Sequence, residues 1–229
     1  MRNRIAFCGV VFCASYVWVA SAQDTGRQRY HYPLDLPVGG GVADADDEDV
    51  SETITFYGAE YEGDAFFWCL DKSCSMGWAA DIETLKQETA LGIQQLSRQT
   101  QFALVAFSSN YIVWPPDEQP TDATPANKSA AIGWVQSLAA SGETCLGPAI
   151  IKTIEIANIS AKPRRQILLL GDGVPYCGGT PTSSVPEDIA AANYQQISIN
   201  TLYISATPDG IPLFQQIAAQ NSGSFTIVE

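Results

Sequence analysis

The chain has 229 residues, of which 46% are hydrophobic and 16% are charged, so it carries enough apolar material for a buried core and is not disordered as a whole. Its 25 acidic and 12 basic residues give a formal net charge of −13, which excludes a protein that binds nucleic acid through a basic face. At this length we expect a single folded domain.

The N-terminus has the pattern of a secretory signal peptide at 1–22. Two arginines precede an uncharged apolar run at 5–20, and Ala20-Ser21-Ala22 supplies the small residues that signal peptidase reads. The run is short for a membrane span, so an uncleaved anchor is the alternative interpretation. Cleavage after Ala22 removes both arginines and no acidic residue, leaving a chain of net charge −15. We expect this product to be secreted or periplasmic, without a membrane span.

Residues 23–51 are polar, contain three consecutive glycines and carry five acidic residues within 44–49. This composition predicts a flexible leader. Five carboxylates without a turn glycine among them match no rigid calcium site, which favours a solvated linker. We expect the folded domain to occupy 52–229.

Four cysteines remain after signal cleavage, and all of them would face an oxidising compartment. They are Cys69, Cys74, Cys145 and Cys177. An even number predicts two disulfides, for which three connectivities are possible. Structural zinc is disfavoured because the spacings lack a CxxC pair and the only histidine, His31, lies far upstream.

Strand-like and helix-like segments alternate through the predicted domain. In chain order they are an edge strand at about 52–58, a strand at 65–70, a helix opened by Asp81, strands at 102–107 and 111–114, helices at 129–140 and 148–159, a strand at 167–170, a helix at 186–194, a strand at 197–204, a helix at 211–221 and a strand at 225–228. This alternation predicts an α/β fold, with a doubly wound, mostly parallel sheet flanked by helices on both faces.

In such sheets, ligands bind beyond the carboxyl ends of the strands, where the chain order reverses. Asp71 and Asp172 each follow a strongly apolar predicted strand. The first of them opens an Asp71-x-Ser73-x-Ser75 pattern, whose oxygen atoms suit magnesium. A polar turn with a helix cap is the alternative explanation of this spacing.

Three segments in this order extend the pattern: Asp71-x-Ser73-x-Ser75-Met76, then Gly142-Glu143-Thr144, then 168–175 with the sequence LLLGDGVP. Together they resemble the von Willebrand factor type A (vWA) domain with its metal-ion-dependent adhesion site (MIDAS). The resemblance runs from about residue 64 to the C-terminus. It implies a vWA or Rossmann-like fold and a metal site made of Asp71, Ser73, Ser75, Thr144 and Asp172, of which Thr144 is the least certain ligand.

Only two of the five side chains that the resemblance implies are carboxylates, so a bound Mg²⁺, or Mn²⁺ or Ca²⁺, would keep much of its charge. An acidic side chain of a partner protein could fill the remaining position. The resemblance therefore implies a metal-dependent, adhesion-type protein-binding module rather than an enzyme. The alternatives are a structural or assembly subunit with a vestigial metal site, and a metal-assisted hydrolase, for which no general base is visible.

Some residues of the three loops have more than one interpretation. Gly171 stands where the family often has a hydroxyl residue, which predicts looser support of the neighbouring aspartate. A disulfide between two of the loops would either preorganise the ligands or only staple the loops. Trp78 and Tyr176 are either interface aromatics or pack beneath the loops. Lys72 either attracts an acidic partner or is an ordinary solvated lysine, and we expect the latter.

Overall fold

A computed structural model of the protein describes residues 51–78, 81–178, 184–204 and 208–228. The predicted signal peptide at 1–22 and the predicted leader up to residue 50 lie outside the described residues, so both remain predictions. Among the helices of the described part of the chain, none is both long enough and apolar enough to cross a membrane.

The described residues form nine strands and five α-helices, as well as a short 3₁₀ turn at Cys74–Gly77. In chain order the strands and helices are β1 (Glu52–Phe56), β2 (Ala59–Gly63), β3 (Ala65–Asp71), α1 (Asp81–Gln95), β4 (Gln101–Phe107), β5 (Tyr111–Trp114), β6 (Thr121–Asp122), α2 (Pro125–Gln136), α3 (Leu146–Ile159), β7 (Arg165–Gly171), α4 (Val185–Ala192), β8 (Ser198–Tyr203), α5 (Ile211–Gln220) and β9 (Phe225–Ile227).

Seven of the strands form the central sheet, in the order β5, β4, β3, β7, β8 and β9, with β6 pairing beside β4. Strands β5 and β6 run antiparallel to β4, and all other neighbours in this sheet are parallel. The predicted α/β fold with a mostly parallel sheet is confirmed. The chain moves outward from β3 through β4 to β5 and then returns to β7 on the other side of β3.

Helices cover both faces of this sheet. Because successive side chains of a strand point to opposite faces, β3 supplies two cores at once. Phe66, Trp68 and Leu70 pack with α1 and α2, whereas Phe67 and Cys69 pack with α3, α4 and α5. All five side chains are fully buried. A strand covered on both faces accounts for the continuous apolar run in the sequence.

The register between β3 and β7 sets the height at which both strands end. The guanidinium of Arg164 donates two hydrogen bonds of 3.1 Å to the carboxylate of Asp64, just before the two strands begin. Pairing then continues in step until Leu70 lies opposite Leu170. The residues that follow, beginning with Asp71, therefore emerge at one edge of the sheet, next to the residues that follow β7.

The first strand, β1, pairs with β2 in a separate antiparallel hairpin and does not join the central sheet. The turn uses Tyr57 and Gly58 with φ of 49° and 73°, the sign that a type I′ turn requires at both positions. Phe56 is buried in the core on the α1 side, and the side-chain amide of Gln95 bonds both backbone groups of Thr55 at 2.8 Å. The hairpin therefore closes the end of this core beside α1.

The helix predicted at 129–140 runs instead from Pro125 to Gln136. The hydroxyl of Thr124 accepts a hydrogen bond of 3.3 Å from the backbone N–H of Asn127, and proline fits the first helical turn. The start of this helix is therefore set by its cap and not by the first run of apolar residues.

Two leucine substitutions test the core. Leu169→Ala, in the middle of β7, removes a fully buried side chain and should lower the free energy of unfolding by about 2–5 kcal/mol. The matched substitution Leu91→Ala, on a side chain that is 51% exposed, should change it by less than about 0.5 kcal/mol. Urea denaturation of both variants measures the difference, and equal midpoints would contradict this assignment of the core.

Candidate metal centre

The two aspartates predicted to bind metal lie where the chain order of the sheet reverses. Asp71 is the last residue of β3, and Asp172 directly follows β7, its neighbour in the sheet. Strands β4 and β5 lie on one side of this pair and β8 and β9 on the other. This is the point at which open parallel sheets bind ligands.

The loop after β3 folds back onto its own aspartate. The backbone N–H of Ser73 donates a 2.7 Å hydrogen bond to Oδ1 of Asp71, the short-range contact by which an aspartate nucleates a turn. The 3₁₀ turn at Cys74–Gly77 follows immediately. Asp71 and Ser73 are each 1% exposed, so both side chains are held below the surface of the loop.

A chain of hydrogen bonds joins this loop to the loop after β7. The hydroxyl of Ser75 donates to Oδ1 of Asp172 at 2.9 Å, and the hydroxyl oxygens of Ser73 and Ser75 lie 3.0 Å apart. The lone pairs of these oxygen atoms remain available to a cation. The structure therefore brings Asp71, Ser73, Ser75 and Asp172 together.

The two carboxyl groups are poorly solvated. Burial raises the pKa of Asp71 to about 7, and the charge of Asp172 adds to this, while hydrogen bonds from Ser73 lower it only in part. Burial also raises the pKa of Asp172, against the hydrogen bond from Ser75. Oδ2 of Asp71 is buried and has no hydrogen-bond partner among the described residues. A buried oxygen of this kind, beside a second carboxylate and two hydroxyls, fits a hard divalent cation.

Thr144 lies on a third loop, next to this cluster in the chain fold but not hydrogen-bonded to it. Its backbone N–H and C=O each bond Tyr176 at 3.0 Å, in a bridge to the loop after β7. Within the described residues, no hydrogen bond links the Thr144 side chain to the four residues above. Its assignment as a ligand remains a prediction.

Lys72 ties three loops together, a role that the sequence reading missed. Its ammonium group donates to the hydroxyls of Ser108 at 3.0 Å and Ser141 at 3.4 Å, and its backbone C=O accepts from the N–H of Ser141 at 2.8 Å. The side chain is half-buried and not freely solvated. The sequence feature that could have indicated this role is a lysine inside the Asp-x-Ser-x-Ser pattern, together with Ser108, which directly follows the neighbouring parallel strand β4.

One disulfide, Cys145–Cys177, forms among the described cysteines, so the expectation of two disulfides from this set is wrong. Cys69 lies on β3 and is buried in the core on the α3 side, whereas Cys74 is exposed on the loop that follows β3, and neither forms a disulfide. The disulfide joins the Thr144 loop to the Asp172 loop, one of the arrangements considered from sequence. Glu143 lies near both sulfur atoms, but bonded sulfurs offer no thiolate to zinc.

The space around position 171 explains why a glycine stands there. A Cβ atom built there would lie 2.9 Å from Cζ of Phe214 and 3.2 Å from Oδ2 of Asp71. The phenyl ring of Phe214 fills the space that a larger residue before Asp172 would need. The absence of a hydroxyl at this position also leaves Oδ2 of Asp71 without that potential donor.

No protein-family model matches the chain, and no curated protein matches it. Among solved structures, a von Willebrand factor type A protein from Catenulispora acidiphila matches with a TM-score of 0.62 over 74% of this chain and 40% of that chain, at 22% sequence identity. The chain has the vWA fold.

Two further structures match with lower scores. The pilus adhesin SpaC from Lactobacillus rhamnosus GG has a TM-score of 0.56 at 16% identity, covering 71% of this chain and 27% of that chain. Proximal thread matrix protein 1 from the mussel byssus, with a zinc-occupied MIDAS motif, has a TM-score of 0.53 at 15% identity, covering 71% of this chain and 43% of that chain. This chain thus matches less than half the length of each of these three proteins.

The role of Lys72 can be tested by hydrogen exchange. Lys72→Met keeps the length of the side chain but removes the donors to Ser108 and Ser141, so the backbone N–H of Ser141 should exchange about fivefold faster, a local loss of about 1 kcal/mol. Lys128→Met is the matched control, because that ammonium bonds the carbonyl oxygens of Gln94 and Leu96 instead. Equal exchange at Ser141 in both variants would contradict the role.

The disulfide can be tested by paired serine variants. The bond closes a sequence separation of 32 residues, so Cys145→Ser with Cys177→Ser should lower the free energy of unfolding by about 2–4 kcal/mol. Cys74→Ser, which breaks no bond, should stay within about 0.5 kcal/mol of the original protein. Urea midpoints under non-reducing conditions measure both. A double variant as stable as the Cys74 control would show that the bond does not form.

Proposed function

We propose that this protein is a secreted, metal-dependent protein-binding module of the adhesion type, in which Asp71, Ser73, Ser75, Thr144 and Asp172 hold one divalent cation. The observation that carries the proposal is the hydrogen-bonded chain from Ser73 through Ser75 to Asp172, with the unpartnered Oδ2 of Asp71 beside it. Both features lie at the switch point of a vWA fold.

The donor set favours a hard cation. It offers carboxylate and hydroxyl oxygens and, within the cluster, neither histidine nor thiolate, which is the chemistry of Mg²⁺ and then of Mn²⁺ or Ca²⁺. Zinc is included among the candidates because the mussel thread protein carries zinc in its MIDAS motif. A cation at this position would also stabilise the ionised form of Asp71, whose pKa burial raises.

The charge balance favours an acidic partner. Two carboxylates do not exhaust the charge and coordination of a dication when the other donors are neutral hydroxyls. A carboxylate from a second protein can then bind the cation directly, although the chain itself has a net charge of −13. Association should therefore require the metal, and a chelator should abolish it.

Location and relatives support the same proposal. The predicted signal at 1–22 and the disulfide Cys145–Cys177 both suit a compartment outside the cytoplasm. One protein of similar fold is a pilus adhesin. A structural or assembly subunit with a vestigial site is the second candidate. Another protein of similar fold comes from the mussel byssus thread, which favours a structural role, but its MIDAS motif is occupied by zinc and so does not itself favour a vestigial site. Metal binding separates the two, because a vestigial site would not respond to cations.

The metal assignment is tested with Asp71→Asn, which preserves the oxygen that accepts from Ser73 but removes the charge. In the unaltered chain, saturating Mg²⁺ should raise the melting temperature, because a ligand that binds only the folded state stabilises it, by about 2.7 kcal/mol at a hundred times its Kd. In Asp71→Asn, calorimetric titration should show Mg²⁺ affinity at least about tenfold weaker.

Asp117→Asn is the matched control, because this exposed carboxylate lies outside the cluster and should leave the Mg²⁺ affinity unchanged. A folded Asp71→Asn variant with the affinity of the control would refute the ligand assignment. No response of the unaltered chain to Mg²⁺, Mn²⁺, Ca²⁺ or Zn²⁺ would favour the vestigial site instead. Manganese titrations monitored by electron paramagnetic resonance give an independent readout.

A further inference from the structure

Large apolar side chains stand exposed on the loops that carry the proposed metal ligands. Trp78 is 84% exposed and Tyr176 is 70% exposed, so neither packs beneath its loop, and Val174 is 44% exposed. Trp78 follows Ser75 by three residues, and Val174 follows Asp172 by two. We call these three side chains the apolar rim.

The backbone beneath the apolar rim is held in place. The N–H of Trp78 donates to the C=O of Ser75 at 2.9 Å, which fixes the end of the 3₁₀ turn. Tyr176 is bonded to Thr144 through two backbone hydrogen bonds, and the disulfide at Cys177 follows directly. Aromatic side chains on a preordered backbone lose little conformational freedom when a partner binds, which is typical of residues that dominate protein interfaces.

The charge next to the apolar rim limits which partner fits. Glu143 is exposed on the loop that carries Thr144, and no lysine or arginine of the described chain forms a salt bridge with it. Its carboxylate lies within 4.8 Å of both sulfur atoms of the disulfide. A second acid on the partner would be repelled here, whereas a lysine or arginine would be attracted.

We infer that the partner is a protein segment in which a single aspartate or glutamate has a large apolar residue beside it and a basic residue further along. The acid would bind the cation, the apolar side chain would pack on Trp78, Val174 and Tyr176, and the basic residue would approach Glu143. This inference rests on the proposed function and adds the chemistry of the segment recognised. It treats the apolar rim as the determinant of specificity and the metal as the determinant of acid binding.

A peptide library tests this inference. Disulfide-closed heptapeptides with aspartate fixed at the centre and all other positions random are selected on the full chain in Mg²⁺ and eluted with a chelator. Selected peptides should be enriched in large apolar residues next to the aspartate and in lysine or arginine further away. For such a peptide, Trp78→Ala and Tyr176→Ala should each weaken binding at least about tenfold.

Two controls locate the effect. Tyr194→Ala removes an aromatic side chain that is 72% exposed, but it precedes β8 and so lies at the opposite end of the strands; it should leave peptide binding unchanged. The Mg²⁺ affinity of the two rim variants should stay within about twofold of the original, because no proposed ligand is altered. Glu143→Gln should remove the preference for basic residues.

The outcomes separate the two levels of the proposal. Metal-dependent peptides without apolar enrichment, or peptides that bind the rim variants as tightly as the Tyr194 variant, would overturn the inference and leave the proposed function standing. A chain that binds Mg²⁺ but retains polygalacturonate, an acidic polysaccharide, instead of any peptide would overturn it in favour of a glycan partner. A chain that binds no cation would overturn the inference together with the proposed function.

Discussion

The candidate site depends on one constraint of the fold: two carboxyl groups lie side by side where little water reaches them. Asp71 and Asp172 are 1% and 6% exposed and end neighbouring parallel strands, so the sheet itself fixes their proximity. No salt bridge to either carboxylate is present within the described residues, and only serine groups donate to them from side chains. Buried like charges are unfavourable unless something positive joins them. A cation bound between the two carboxylates would offset their repulsion. This gives a physical reason for a fold to keep both aspartates at this position.

Much of the fold could be predicted from sequence, because its central strands are covered on both faces. The unbroken apolar runs that form β3 and β7 are typical of strands covered on both faces, and the position of the aspartates after them follows from the topology of parallel sheets. The hairpin partner β2 was not predicted, since its sequence AEYEG contains one large apolar residue and depends on a turn with positive φ at Tyr57. Helix α2 was misplaced because a threonine cap, not an apolar run, decides where it begins.

The sequence predicted most residues of the candidate site, but not the contacts that hold its loops together. The spacing of Asp71, Ser73 and Ser75 identified side chains that do meet, whereas Thr144 reaches the same edge through backbone bonds to Tyr176 that no local pattern encodes. The pairing of the cysteines could not be predicted from the sequence either. It depends on which loops meet in space, and Cys69 faces the core while Cys74 faces outward. The exposure of Trp78 likewise depends on tertiary packing, because a tryptophan is as readily buried as exposed.

The bonds that hold the three loops of the candidate site together affect how the site could select among acidic partners. A hard cation recognises any accessible carboxylate, so coordination alone distinguishes poorly among acidic partners. Lys72 and the disulfide fix the three loops to one another. Under the proposed function, a partner would therefore meet the cation and the side chains next to it. Rigid loops cannot remould themselves around many partners. If a cation binds there, discrimination would come from the side chains exposed beside it, which include Trp78, Val174, Tyr176 and Glu143.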